Sequence, residues 1–111
     1  MDILLHQVAD LLLAVEQEMR RLGLWESTPP PSEALQSLVP FCYDTLRFEQ
    51  WLQWVFLSKM KQALEHQIDF PATSNIAALA ELRFPELHPL DTQRLLQLLR
   101  EFDDTINSAS R

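Results

Sequence analysis

The chain has 111 residues, enough for one hydrophobic core and too few for two. Nine Lys and Arg against 16 Asp and Glu leave a formal charge of -7, a field that repels phosphate backbones and anionic lipid, so autonomous nucleic-acid binding is not expected. The longest apolar run, Leu11–Val15, falls far short of the roughly 20 residues a membrane span needs, and the single cysteine, Cys42, excludes an internal disulfide.

The N-terminus MDILLHQ places Asp2 where a secretory signal would carry positive charge, and Gln7 interrupts its apolar region, so the expected location is the cytoplasm. From Ile3 to Leu22 the apolar residues Leu4, Val8, Leu11, Val15, Met19 and Leu22 trace one stripe of an α-helix. Gly23, the only glycine, follows that stripe and can close the helix in a left-handed conformation. Next comes a connector, WESTPPPSEALQS, with Trp25 as an aromatic anchor and Pro29–Pro31 as a stiff, extended piece. A proline triplet also serves as a ligand for aromatic-lined grooves, a reading that stays beside the stiff loop. Ser32 is placed to cap a short turn, and PFCYDTL forms a second joint, with Cys42 expected to pack as a small buried hydrophobe.

The next helix is expected from near Leu46 to about His66, capped by Asp44 or Thr45. Counted at 100° per residue from Trp51, the residues Val55, Phe48, Leu52 and Phe56 fill an apolar arc between about 40° and 140°. Trp54 lies about 60° away on the other side, flanked by Gln50, Ser58 and Lys61. Two readings follow: a central helix surrounded by the others, or an exposed patch centred on Trp54 that binds a protein. Ile76 to Phe84 and Leu90 to Ile106 read as two further helices, the second with Leu95, Leu98, Leu99, Phe102 and Ile106 on one side. Four helical segments with proline-rich connecting loops and no period-two pattern predict an all-α, four-helix bundle-like domain over residues 1–107, with residues 108–111 as a frayed tail.

PFCYDTLRFEQWLQWVFLSKM, Pro40 to Met60, resembles the YqcC-like family of small bacterial proteins. The family motif is proline, phenylalanine, two residues, aspartate, threonine or serine, then a tryptophan-leucine-glutamine-aromatic core. Pro40, Phe41, Asp44, Thr45, Trp51, Leu52, Gln53 and Trp54 match it. Ser58 stands where the family commonly has a proline, so any kink from that proline is not carried over. The resemblance implies a helical bundle without established catalytic activity, in a family whose gene often lies beside that of tRNA pseudouridine synthase C.

His6, His66 and His88 form no His-x-x-x-His or Glu-x-x-His pair, and Glu65, His66 and Asp69 read as a solvated helix end, so no metal or other cofactor is expected. One glycine cannot make a phosphate loop, and no serine sits in a nucleophile elbow. Asp103 and Asp104 point about 100° apart and read as solvated charges. Without these signatures the expected function is non-enzymatic, and the YqcC-like resemblance implies a helical protein-interaction module accessory to a tRNA-modifying pseudouridine synthase. Its partner surface is expected at Trp54, Gln53, Pro40, Phe41 and Asp44, with Lys61 on the rim. The alternatives are a tRNA-binding presenter of substrate to that enzyme, an oligomerising bundle with no ligand, and a weak enzyme with an unrecognised site.

Overall fold

Helix α1 forms because Val8, Leu12, Val15 and Met19 recur at helical spacing and all four are buried, so that one face of Ile3–Arg21 leaves water together. It ends as its sequence requires. Gly23 adopts φ 77, its N–H donates to the Arg20 carbonyl (3.1 Å), and the Leu24 N–H donates to the Met19 carbonyl (2.9 Å). These two bonds satisfy carbonyls that the helix end leaves unpaired. The computed structural model describes residues 3–66 and 69–109. Asp2, Ser110 and Arg111 lie outside them, whereas Ser108 and Ala109 continue the last helix.

The connector is held by side chains from the helix that follows it. Gln53 accepts from the Glu26 N–H (2.9 Å) and donates to the Glu26 carbonyl (2.7 Å). Trp25 packs on the core with the Arg20 guanidinium 4.5 Å from its ring centroid. Ser32 lies inside a 3-10 turn, Ser32–Gln36, instead of capping it; Pro31 holds the cap position with no side-chain bond. A second turn, Pro40–Cys42, leads into helix α2 over residues 48–66.

Helix α2 starts at Phe48, two residues later than its sequence suggests, because Asp44 and Thr45 are used elsewhere. Ser37 Oγ donates to Asp44, and the Thr45 hydroxyl donates to the Ala34 carbonyl (2.7 Å). Gln50 instead accepts from the Arg47 N–H at the helix start (2.9 Å). Leu52–Leu57 is π-helical, between an α-helical first turn, Phe48–Trp51, and an α-helical remainder, Ser58–His66. The wider turn brings residues five apart onto one side, so Trp51 and Phe56 stack at 5.7 Å.

Helices α3 (Ile76–Arg83) and α4 (Gln93–Ala109) complete an all-α fold, with a 3-10 turn, Phe84–Leu87, between them and no strand among the described residues. Helix α4 starts later than Leu90, where the Asp91 carboxylate accepts from the Gln93 N–H (3.2 Å). Its face of Leu95, Leu98, Leu99, Phe102 and Ile106 lies along α1, and one hydrophobic cluster draws on all four helices. None of the helices among the described residues is long and apolar enough to cross a membrane.

Asp103 corrects the expectation of a solvated charge. It is buried, and its carboxylate accepts from Ser74 Oγ (2.6 Å), the Ile76 N–H (3.0 Å) and the Ala77 N–H (2.9 Å). Helix α3 is thus capped by a side chain from α4, in the role that its own residue Asn75 does not fill.

Glu49, also buried, receives two bonds from Arg83, from Nε (3.0 Å) and Nη2 (2.9 Å), which tie the start of α2 to the end of α3. Burial pushes the Glu49 pKa up, but the Arg83 hydrogen bonds, a backbone hydrogen bond and the charges of Arg83 and Arg47 together outweigh it and hold the carboxyl below its ordinary value. Lys61 and Arg20 do the same for Glu16, and Arg21 for Glu18, each against the opposing effect of burial. A depressed carboxylate contributes stability that is fully present above the unfolded value, 4.5, and is lost as pH falls through the folded value. The urea midpoint should therefore drop steadily below that pH, and Glu49→Gln should flatten the drop. An equally steep acid limb in Glu49→Gln would contradict the assignment.

Candidate functional site

Residues 37–46 carry the positive-φ residues other than glycine among the described residues. Phe41 (φ 60) and Cys42 (φ 49) both take left-handed conformations, which for residues with a Cβ cost on the order of 1–3 kcal/mol each. The surroundings hold them there. The Cys42 carbonyl accepts from the Thr45 and Leu46 N–H groups (3.0 and 2.8 Å), and its side chain is buried, as its packing role requires. The Phe41 ring meets Trp51 edge-on, with centroids 4.7 Å apart.

This reversal turns Cys42 inward and leaves its neighbours outside. Leu38 is 99% exposed, Tyr43 71% and Val39 43%, and Pro40 is exposed among them. Across a cleft of about 290 Å³ stands Leu82 of α3, 74% exposed, with Tyr43 and Leu79 also on the cleft wall. Arg47 and Arg83 line the same cleft, both already paired with Glu49. The joint is therefore an apolar surface on a pinned backbone, next to an apolar notch.

On its other side the joint borders a groove across α2. A cleft of about 640 Å³, reaching down to Phe56, Ile76 and Phe102, runs into one of about 410 Å³ that extends toward Leu35 and Trp54. The two share Phe41, Trp51, Val55, Lys59 and Gln62 as their common wall.

Trp54 is neither a fully exposed anchor nor an enclosed core residue. It is half-buried on the groove wall, and its indole N–H donates to Glu26 Oε1 (3.1 Å). The π-helical stretch changes the angle between Trp51 and Trp54, and Glu26, arriving from the connector, supplies a partner that a count along one helix does not contain. Val55, assigned to the apolar arc, is likewise only half-buried and lines the groove. Gln53 is 5% exposed with both ends of its amide bound to the Glu26 backbone, so it positions the connector. Lys61 pairs with Glu16 of α1 at 2.8 Å, away from the joint. Pro40, Phe41 and Asp44 do come together at the joint, with Trp54 across the groove. Leu38, Val39, Tyr43 and Leu82 were not singled out from sequence, although an apolar stretch flanking Pro40 in an otherwise polar connector was the available signal.

A family profile described as tRNA pseudouridine synthase C, DUF446, matches residues 7–105. The chain belongs to that family. An uncharacterised protein from Haemophilus influenzae is 34% identical over 103 residues, which cover 93% of this chain and 95% of its own. The uncharacterised protein YqcC of Escherichia coli is 30% identical over 78 residues, 70% of this chain and 72% of its own, in line with the YqcC-like motif. The third relative, tRNA pseudouridine synthase C from Pectobacterium carotovorum, is 39% identical over 66 residues. Those residues are 60% of this chain and only 18% of the synthase, so most of the synthase lies outside the matched segment. No solved structure matches the chain.

Proposed function

We propose that the chain is a non-catalytic helical docking module for a tRNA pseudouridine synthase, and that the joint is its contact surface. The carrying observation is the exposed apolar group Leu38, Val39 and Tyr43, held on a strained but fully pinned backbone beside Leu82. Exposed apolar side chains on a rigid support lose little conformational entropy on binding, and tyrosine is a frequent hot-spot residue. The relationship of this chain to a segment of a synthase supports the choice of partner: a module carried within one enzyme chain has its counterpart surface on that enzyme.

Protein contact is favoured over tRNA presentation by how the cations are used. Arg20, Arg21, Arg47, Lys61, Arg83 and Arg100 each pair with a carboxylate of the chain itself, which leaves them little to offer a phosphate backbone. The test is isothermal titration of the chain into a tRNA pseudouridine synthase C that lacks the matched segment. Binding with a Kd of about 10 μM or tighter is expected, with Tyr43→Ala weakening it about tenfold or more. No complex with the synthase, alongside a tight and salt-sensitive complex with tRNA alone, would overturn the reading.

A further inference from the structure

The groove across α2 has features that the joint does not explain. Its two clefts, of about 640 and 410 Å³, share the wall of Trp51, Val55 and Lys59, so they form one continuous channel. Its deep part is apolar, reaching Phe56, Ile76 and Phe102, whereas the cleft toward Trp54 is the more polar of the two, with Ser37, Ser58 and Gln62 on its lining; the half-buried Val55 and Trp51 border both. At the middle of the channel stands Lys59, exposed and without a carboxylate partner among the described residues. Lys61, two positions on, pairs with Glu16 at 2.8 Å. In a chain of net charge -7, most cations are neutralised internally; this one faces an apolar groove.

We infer that this groove takes a linear, apolar, carboxylate-bearing segment of a protein partner, with its apolar side chains against Trp51 and Val55 and its carboxylate on Lys59. Two joined clefts favour a peptide over a small molecule, because a row of side chains fills both where a compact ligand leaves one empty. Charge fixes the sign. An anion satisfies Lys59, and Gln62 beside it, whose side chain makes no bond among the described residues, adds a neutral donor. Asp69 on the rim of the larger cleft repels a carboxylate there, which places the acidic residue of the segment at the Lys59 position. A segment lying in this groove reaches Phe41, and through it the exposed joint, so one partner can engage both surfaces. The choice of a protein as occupant rests on the docking reading above, but the groove is testable without the synthase.

The probe is a displayed library of random short peptides, selected against the wild-type chain. Enriched sequences are expected to combine large apolar residues with an Asp or Glu at a fixed spacing. Lys59→Glu should weaken a selected peptide on the order of tenfold, and replacing the acidic residue of that peptide with lysine should restore binding to Lys59→Glu. Leu13→Ser, on the exposed side of α1 and outside both clefts, should leave peptide affinity unchanged. Selection of no peptide, or of peptides indifferent to both Lys59→Glu and their own acidic residue, would overturn the inference. Loss of synthase binding by the wild-type chain with peptide binding intact would instead count against the docking reading alone.

Discussion

Asp103→Ala should be among the most destabilising single substitutions in the chain, with an expected cost of about 3 kcal/mol or more. It removes the acceptor for three donors, and two of these, the Ile76 and Ala77 N–H groups, are buried at the first turn of α3. A buried amide left without a partner costs about 1–3 kcal/mol, more than the net value of the bond it made. The same residue joins elements far apart in sequence, since Ser74 and Ile76 lie 29 and 27 residues before it. Asp103→Asn keeps one acceptor oxygen and should lose roughly half as much. Urea denaturation measures both. A loss below about 1 kcal/mol for Asp103→Ala would contradict its role as the cap of α3.

Trp51→Ala should cost about 2–3 kcal/mol, less than full burial would imply, because the ring is half-buried on the groove wall. What it loses is a run of ring contacts: Phe41 at 4.7 Å, Phe56 at 5.7 Å and Phe48 at 6.0 Å. Trp54→Ala should cost about 1 kcal/mol, chiefly its packing and the indole bond to Glu26. Trp54→Phe separates these two contributions. Equal losses for Trp51→Ala and Trp54→Ala would mean that the aromatic stack adds nothing beyond the burial of each ring.

The parts of the fold that were legible in the sequence are those decided within a few residues. The α1 stripe and its closure at Gly23 depend on local spacing and on one backbone angle, and both stand in the structure. The α4 face was equally plain, though its start was set by Asp91 and Thr92 and not by Leu90. What escaped was decided across the chain. Asp103 looks solvated beside Asp104 until α3 is laid against it, and Trp54 looks surface-bound until Glu26 arrives from the connector. The π-helical register of α2 belongs with the stacking of Trp51 on Phe56, which a fixed 100° count cannot represent. At the joint, Phe41 and Cys42 adopt left-handed conformations that no glycine or asparagine announces. The family motif marked Pro40, Phe41 and Asp44, but the apolar surface they present is completed by Leu38, Val39 and Tyr43.

The central claim is that the joint is the surface that meets the synthase. Hydrogen–deuterium exchange on the chain, with and without a tRNA pseudouridine synthase C that lacks the matched segment, tests it most directly. The account predicts slowed exchange at the amides of residues 38–46, while the exposed side of α1 around Leu13 exchanges as in the free chain. A complex that leaves the joint amides unchanged and protects α1 instead would contradict it.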